Sequence, residues 1–269
     1  MEQELRNRNV VPDRLRWTSA AEFRQSAGSE GGAPRVVVAM GVEALRSVIA
    51  TGTRSHILAT LVPRTLYERI LRETSTGTLG PLSAIYLDQP ISRQLDLIRL
   101  ALPQAKRISV LLGPDSGIHQ PWLASAAATA RLELAVAHVS SASMLPTALQ
   151  SVLEGSDVFL ALPDAMVFNN SSISSLLLSS YRAQVPMVAF SPAYVKAGAL
   201  ISLHSTPGQI GTQAAALVRA MLDGEISKPV TQYPSAFSVS VNVYVARSLN
   251  MTLDAMALTE RLRRLEAKP

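Results

Sequence analysis

Nine residues of this chain join a recognisable chemical group to a place at the end of an apolar run: Met40, Gly41 and Val42, Asp115 and Ser116, Pro163 and Asp164, and Ser191 and Tyr194. The carboxylates of Asp115 and Asp164 can receive a ligand amine, the serine hydroxyls can receive polar groups, and the Tyr194 ring can stack on another ring. Gly41, lacking a Cβ, lets the backbone approach a ligand. Each has a second reading. Asp164 can cap the turn that follows it, Pro114-Asp115-Ser116-Gly117 is a good turn sequence, Tyr194 can cover a hinge, and Gly41 can admit close packing of a helix.

This is chemistry of recognition rather than of bond making. The four histidines, His56, His119, His138 and His204, are scattered without metal-site spacing, and there is no cysteine to serve as nucleophile, disulfide or ligand. No Gly-x-Ser-x-Gly elbow or Walker loop occurs, and the turn Met40-Gly41-Val42-Glu43-Ala44 has one glycine only, too few for a dinucleotide fingerprint. Asn169-x-Ser171 fits a glycosylation pattern that is common by chance. The expectation is a protein that is not an enzyme, with no cofactor and no metal.

The elements that place these residues are four apolar runs, Arg35 to Gly41, Arg107 to Gly113, Asp157 to Pro163 and Val185 to Ser191. They lack polar alternation, so both faces must be buried, as in parallel strands covered by helices on two sides. In such sheets, ligands sit beyond the carboxyl ends of the strands. Between the runs lie helical segments such as Val42 to Ala50, with Val42, Leu45, Val48 and Ile49 on one face, and the helix opened by Pro90, with Ile91, Leu95, Ile98 and Leu102. Further strands are expected at His56 to Leu61, Leu82 to Leu87 and Glu133 to Val139, and a weak one at Asn9 to Trp17. Ser26 to Pro34 is a Gly-rich loop.

After two strand and helix cycles the pattern changes. A short strand at Gly198 to Leu203 precedes a long helix, capped by Thr206 and stopped by Gly224, and then an extended linker from Glu225 to Pro234. A strand at Phe237 to Val243 and helices at Val245 to Leu249 and Leu253 to Ala267 close the chain. The expected fold is α/β, with two doubly wound lobes of parallel-type sheets joined by a hinge. The lobes are expected to comprise residues 1–86 plus about 203–235, and 87–202 plus about 236–269.

Composition narrows the partners. With 269 residues, 48% of them apolar, the chain has ample core, and no run is long enough to span a bilayer. The net charge of +5 is concentrated at the ends, in Arg6, Arg8, Arg14, Arg16 and Arg24 and in Arg261, Arg263, Arg264 and Lys268. With 17% charged residues overall, this reads as solvated terminal helices rather than a nucleic-acid face.

From about Leu82 to Leu253 the chain resembles the ABC-transporter substrate-binding protein family whose better-known members bind aromatic amino acids, a family with a type I periplasmic-binding fold. The resemblance is carried by QLDLIRLALPQAKRISVLL (Gln94 to Leu112), DVFLALPDAMV (Asp157 to Val167), VPMVAFSPAYVKAGALIS (Val185 to Ser202), IGTQAAALVRAMLDGE (Ile210 to Glu225) and VNVYVARSLNMTL (Val241 to Leu253), with VVVAMGVEAL (Val36 to Leu45) extending it. Departures fall in the first lobe. Gly41-Val42 stands where the family usually has Gly-Thr, Val62-Pro63 where it has Asp-Pro, and Leu82-Ser83-Ala84 where it has Asn-x-Thr-Gly. The family's first strand would lie before Met1, which leaves open a misassigned start, a partner that supplies the strand in a dimer, or a divergent first lobe.

The resemblance implies the solute-binding component of an ABC importer. It would hold a small polar or amino-acid-like ligand between its lobes, at Met40, Gly41, Val42, Asp115, Ser116, Pro163, Asp164, Ser191 and Tyr194, and present it to an ABC permease. Its place would be periplasmic or otherwise extracytoplasmic, touching the membrane only through the permease, and cytoplasmic if the start is genuine. A ligand-sensing module of the same fold acting on a partner protein is the alternative, favoured by the basic closing helix.

Overall fold

A computed structural model of the chain describes residues 1–8, 15–26, 33–74, 77 and 79–267. Its strands are β1 (Val36–Met40), β2 (His56–Val62), β3 (Leu82–Tyr86), β4 (Arg107–Leu112), β5 (Glu133–His138), β6 (Val158–Leu160), β7 (Met187–Ala189), β8 (Ile201–His204), β9 (Thr231–Gln232) and β10 (Ser238–Val241). Its helices are α1 (Glu2–Asn7), α2 (Ala20–Ser26), α3 (Val42–Ala50), α4 (Arg64–Glu73), α5 (Ile91–Ala101), α6 (Gln120–Thr129), α7 (Leu145–Leu153), α8 (Ile173–Arg182), α9 (Pro192–Ala197), α10 (Pro207–Asp223), α11 (Val243–Ser248) and α12 (Ala255–Glu266). The chain divides into two compact units, the first made of Met1–Asp88 with Ser205–Ala236 and the second of Gln89–His204 with Phe237–Pro269.

The first unit is built on a parallel sheet in the order β1-β2-β3-β9. One face carries Val37, Ala39, Ile57, Ala59, Ala84 and Tyr86 against residues of α3 and α4, and the other carries Leu58 and Ile85 against Leu5 of α1 and the apolar side of α10. Helices therefore cover both faces, as the unalternated apolar runs require. Among the described residues no strand precedes β1, which forms an edge of the sheet.

The second unit has a sheet in the order β10-β8-β7-β6-β4-β5, parallel except where β10 runs against β8. Ile108, Val110, Leu112, Val158 and Leu160 bury with α5, α6 and α12 on one face, and Leu111, Phe159 and Met187 with α7 and α8 on the other. The returning tail is fixed by charge as well as by packing. Arg93 on α5, buried, donates to Glu266 on α12 at 2.5 Å and lies 4.5 Å from the centre of the Phe237 ring.

Several elements differ from the sequence expectation. The weak strand expected at Asn9 to Trp17 lies mostly outside the described residues, and Leu15 to Trp17 form no strand. Most of the expected loop at Ser26 to Pro34 also lies outside them. The linker expected at Glu225 to Pro234 contains β9, which pairs with β3 through Ala84 and Ile85. Pairing with a strand so distant in sequence has no local signal. The last strand is shorter than expected, because the Asn242 side chain accepts from the amides of Tyr244 and Val245 and starts α11 two residues early.

Candidate functional site

In the first unit, the carboxyl edge of the sheet is shaped by two backbone irregularities. Gly41 follows β1 with φ of 90°, a conformation open to glycine and strained for other residues, and its amide bonds to the Thr60 carbonyl at 2.8 Å before α3 begins at Val42. Leu61 also has positive φ, 57°, at a register break between Thr60 and Val62. This bulge sends Leu61 to the α10 face together with Val36 and Val38, while Val62 rejoins the opposite face.

The bulge forms one wall of a cavity of about 370 Å³. Met40, Thr60 and Leu61 line it from the sheet, Pro207, Ile210, Gly211 and Ala214 from α10, and Met1, Glu2 and Trp17 from the first part of the chain. Of the residues expected from sequence, Met40 lines this cavity, 44% exposed. Gly41 and Val42 cap and begin the helix beside it.

The ends of β2, β3 and β9 carry a second cluster. The Arg64 guanidinium lies 5.7 Å from the centre of the Tyr86 ring and 5.8 Å from that of Tyr233, donating to the Tyr233 hydroxyl and to Glu68 at 2.6 Å each. Tyr86 meets both Tyr67 and Tyr233 edge to face. Gln213 on α10 fixes the Tyr233 segment by donating to the Tyr233 carbonyl at 3.1 Å. Pro63 holds the N-cap position of α4 and has no side chain able to cap, so the first helical amide, at Arg64, donates instead to Asp88 beyond the end of β3. Burial pushes the Asp88 carboxyl up to about 6, and the nearby Glu68 charge adds to this while Arg64 opposes it. Sequence reading did not select Arg64, Asp88 or Tyr233, since the partners are brought together only by the sheet.

In the second unit, Asp164 is buried, at 5% exposure, and its carboxylate is fully engaged by the protein. Oδ2 accepts from the amides of Asp115 and Ser116 and from the Ser116 hydroxyl at 3.1, 2.9 and 2.8 Å, and Oδ1 accepts from the Met166 amide at 2.9 Å. The Ser116 hydroxyl in turn accepts from the Gly113 amide at 3.0 Å. Asp164, Asp115 and Ser116 thus form one brace between the loops after β4 and β6, with Pro163 half-buried beside it. Ser191 caps α9 by accepting from the Ala193 amide at 3.2 Å. Tyr194 packs edge to face on Phe190 with ring centres 5.0 Å apart, and Phe168 adjoins both; burial raises the Tyr194 phenol above its usual range.

The histidines remain dispersed. His56 bonds Ser83, His138 bonds Gln120 and His204 bonds Ser202, and among the described residues no group of three His, Asp or Glu side chains could hold a metal ion.

With the two sheets and their strand-end loops in place, comparison with known proteins identifies the family. A family model described as ABC transporter substrate binding protein matches residues 74–261, well over half of the chain. The chain belongs to the ABC transporter substrate-binding protein family. Substrate-binding proteins of this family are binding proteins rather than enzymes, and they are extracytoplasmic. No helix among the described residues is long and apolar enough to cross a membrane.

Solved structures share the type I periplasmic-binding fold. A conserved domain protein from Vibrio cholerae is 23% identical, with a TM-score of 0.62 over 90% of this chain and 82% of its own. An ABC domain from Streptococcus pneumonia in complex with L-Trp is 16% identical, with a TM-score of 0.65 over 96% and 90%. The ligand-free, open form of CD0873, a substrate-binding protein with adhesive properties from Clostridium difficile, is 16% identical, with a TM-score of 0.64 over 88% and 78%. No curated protein matches the chain. The brace at Asp164, the Tyr194 cluster and α10 fall within the family-matched segment, whereas Met40, Leu61 and Arg64 precede it.

Proposed function

We propose that this substrate-binding protein is the solute-receiving component of an ABC importer, taking a small polar or amino-acid-like ligand between its two lobes and presenting it to a permease. The family match over residues 74–261 carries this reading. Supporting it, each unit places shaped loops at the carboxyl ends of its parallel strands, where ligands of such sheets bind. The L-Trp complex of the Streptococcus protein makes amino acids the first solutes to test.

Met40, Gly41 and Val42 would meet the ligand from the first lobe. Asp115, Ser116, Pro163, Ser191 and Tyr194 would meet it from the second, with Asp164 holding the loop that carries two of them. Because the Asp164 oxygens already accept four hydrogen bonds, its contribution to binding is to position that loop. A sensing module remains the alternative function. The basic helix α12 supports it in part, since Arg263 donates to the Phe237 carbonyl at 3.2 Å while Arg264 is largely exposed.

The test is a thermal-shift screen over amino acids and related solutes. A true ligand at a hundred times its dissociation constant should stabilise the chain by about 2.7 kcal/mol. Failure of every solute to raise the melting temperature of the intact fold would count against the reading.

A further inference from the structure

The six-stranded sheet of the second unit has two edges, and the fold treats them differently. At β10 the outward amide of Val239 donates to the Thr259 hydroxyl of α12 at 3.2 Å, which closes that edge. At β5 the Glu133 amide donates to the Lys106 carbonyl and the Val139 amide to the Leu112 carbonyl, so the alternate residues Glu133, Ala135, Ala137 and Val139 face β4. Leu134, Val136 and His138 therefore turn their backbone amides and carbonyls outward. Among the described residues no other strand and no side chain bonds to these outward groups. The devices that protect such an edge are also missing, because β5 keeps an unbroken register with β4, has no proline and carries no charge beyond Glu133.

The surface around this edge has the composition of an interface. Residues 116–130 and 134–153, which hold α6, most of β5 and α7, contain no Asp, Glu, Lys or Arg. At the chain's average of 17% charged, these 35 residues would carry about six. Twelve residues of the first stretch and fourteen of the second reach solvent, in the range of about 20–30 that one partner gives an interface of ordinary size. Ile118 and Trp122 are each 50% exposed and Met144 45%. They gather at the carboxyl end of β5, where His138 bonds Gln120 at the start of α6 and Ser140 bonds the Met144 sulfur. Depletion of charge together with exposed Trp and Met marks a protein interface rather than a solvated face.

We infer that β5 pairs with β5 of a second copy of this chain, antiparallel about a two-fold axis through Val136, joining the two sheets into one. In that register Val136 lies opposite the partner's Val136 and Leu134 opposite the partner's His138, so every outward amide and carbonyl meets its complement. A two-fold axis sets a surface against itself, where like charges directly opposite repel, and an uncharged face is free of that penalty. On a chain of net charge +5 this favours a second copy over a partner recruited by charge. The two Glu133 carboxylates stand at opposite ends of the pairing, about 20 Å apart. The inference goes beyond solute binding and involves the second unit alone.

Sedimentation equilibrium of the full chain is expected to show twice the chain mass at high concentration, with a dissociation constant of about 10 µM. Hydrogen exchange reads the edge without mutation. The Leu134, Val136 and His138 amides should exchange at least about fourfold more slowly in the dimer than in the diluted monomer, while the Ala135 and Ala137 amides, bound to β4, stay unchanged. Val136→Lys and Val136→Glu each set like charges directly opposite and should weaken self-association by at least about tenfold, and mixing the two variants should restore dimers that contain one of each.

Wild type that is monomeric at about 100 µM, or outward amides that exchange equally in dimer and monomer, would overturn the inference. Folded charge variants that dimerise as wild type does, or that associate no better mixed than alone, would also overturn it, since the register places position 136 against itself. If the variants do not fold, sedimentation and exchange of the wild type decide alone. A monomeric wild type would leave this face to a different partner, such as the permease, with the solute-binding reading untouched.

Discussion

Replacing Asp164 with alanine is expected to destabilise the second unit by about 3 kcal/mol, the cost of leaving several donors without the carboxylate that receives them. The Asp115, Ser116 and Met166 amides and the Ser116 hydroxyl all point at this one group. Asp115 and Met166 are half-buried, so water recovers part of the loss there, while Ser116, at 2% exposure, recovers least. Asp164→Asn should cost less, since one amide oxygen still accepts, but its NH2 group must face a donor whichever way it is turned.

A second substitution tests the same brace from the other side. A Cβ added at Gly113 would fall within the space of the Asp164 carboxylate. Gly113→Ala should therefore be strongly destabilising alone and nearly silent once Asp164 is alanine, a large coupling in a double-mutant cycle. Urea unfolding followed through Trp122, in a Trp17→Phe background, measures the second unit. A loss under about 1 kcal/mol for Asp164→Ala, or additivity with Gly113→Ala, would show that the brace does not hold these loops.

The first unit should lose stability as the pH rises from about 4 to above 6, by an amount on the order of 2–3 kcal/mol. Asp88 has an ordinary value of 3.8 and is pushed up to about 6 in the fold by burial, helped by Glu68 and opposed by Arg64 and two backbone amides. Between those values the folded form binds more protons than the unfolded form, so raising the pH favours unfolding. The contribution is fully present below about 4 and gone above about 6. His56 works in the other direction, because burial lowers it and its neutral form is the one the fold prefers.

The difference between wild type and Asp88→Asn isolates the carboxyl, since the amide can still accept from the Arg64 backbone. Stability measured through Trp17 in a Trp122→Phe background should show wild type losing ground to the variant from pH 4 to 7. Parallel curves would mean that Asp88 is not held protonated by its surroundings.

What the sequence showed and what it hid divide along the distance between interacting residues. Helix α10 was legible at both ends, because Thr206 and Gln209 form a capping box and Gly224 takes the left-handed φ of 80°, all within a few residues. The buried parallel strands were legible from their unalternated apolar runs. Strand β9 was not, since two residues make it and its partner is β3. The Arg64 and Tyr233 contact spans 169 positions, and the cavity joins Trp17 and Met40 to α10 across most of the chain. Leu61 gave no warning either, for nothing in Thr60-Leu61-Val62 marks a bulge. Asp164 was visible as a carboxylate at a strand end, but its four donors became visible only once the loops after β4 and β6 stood side by side.

The most direct test of the solute-binding account is calorimetric titration of the full chain with the best solute from the thermal screen, repeated at several temperatures. The account predicts one site per chain and a negative heat-capacity change, the mark of apolar surface leaving water. Absence of saturable binding at every temperature, with the fold intact, would contradict it.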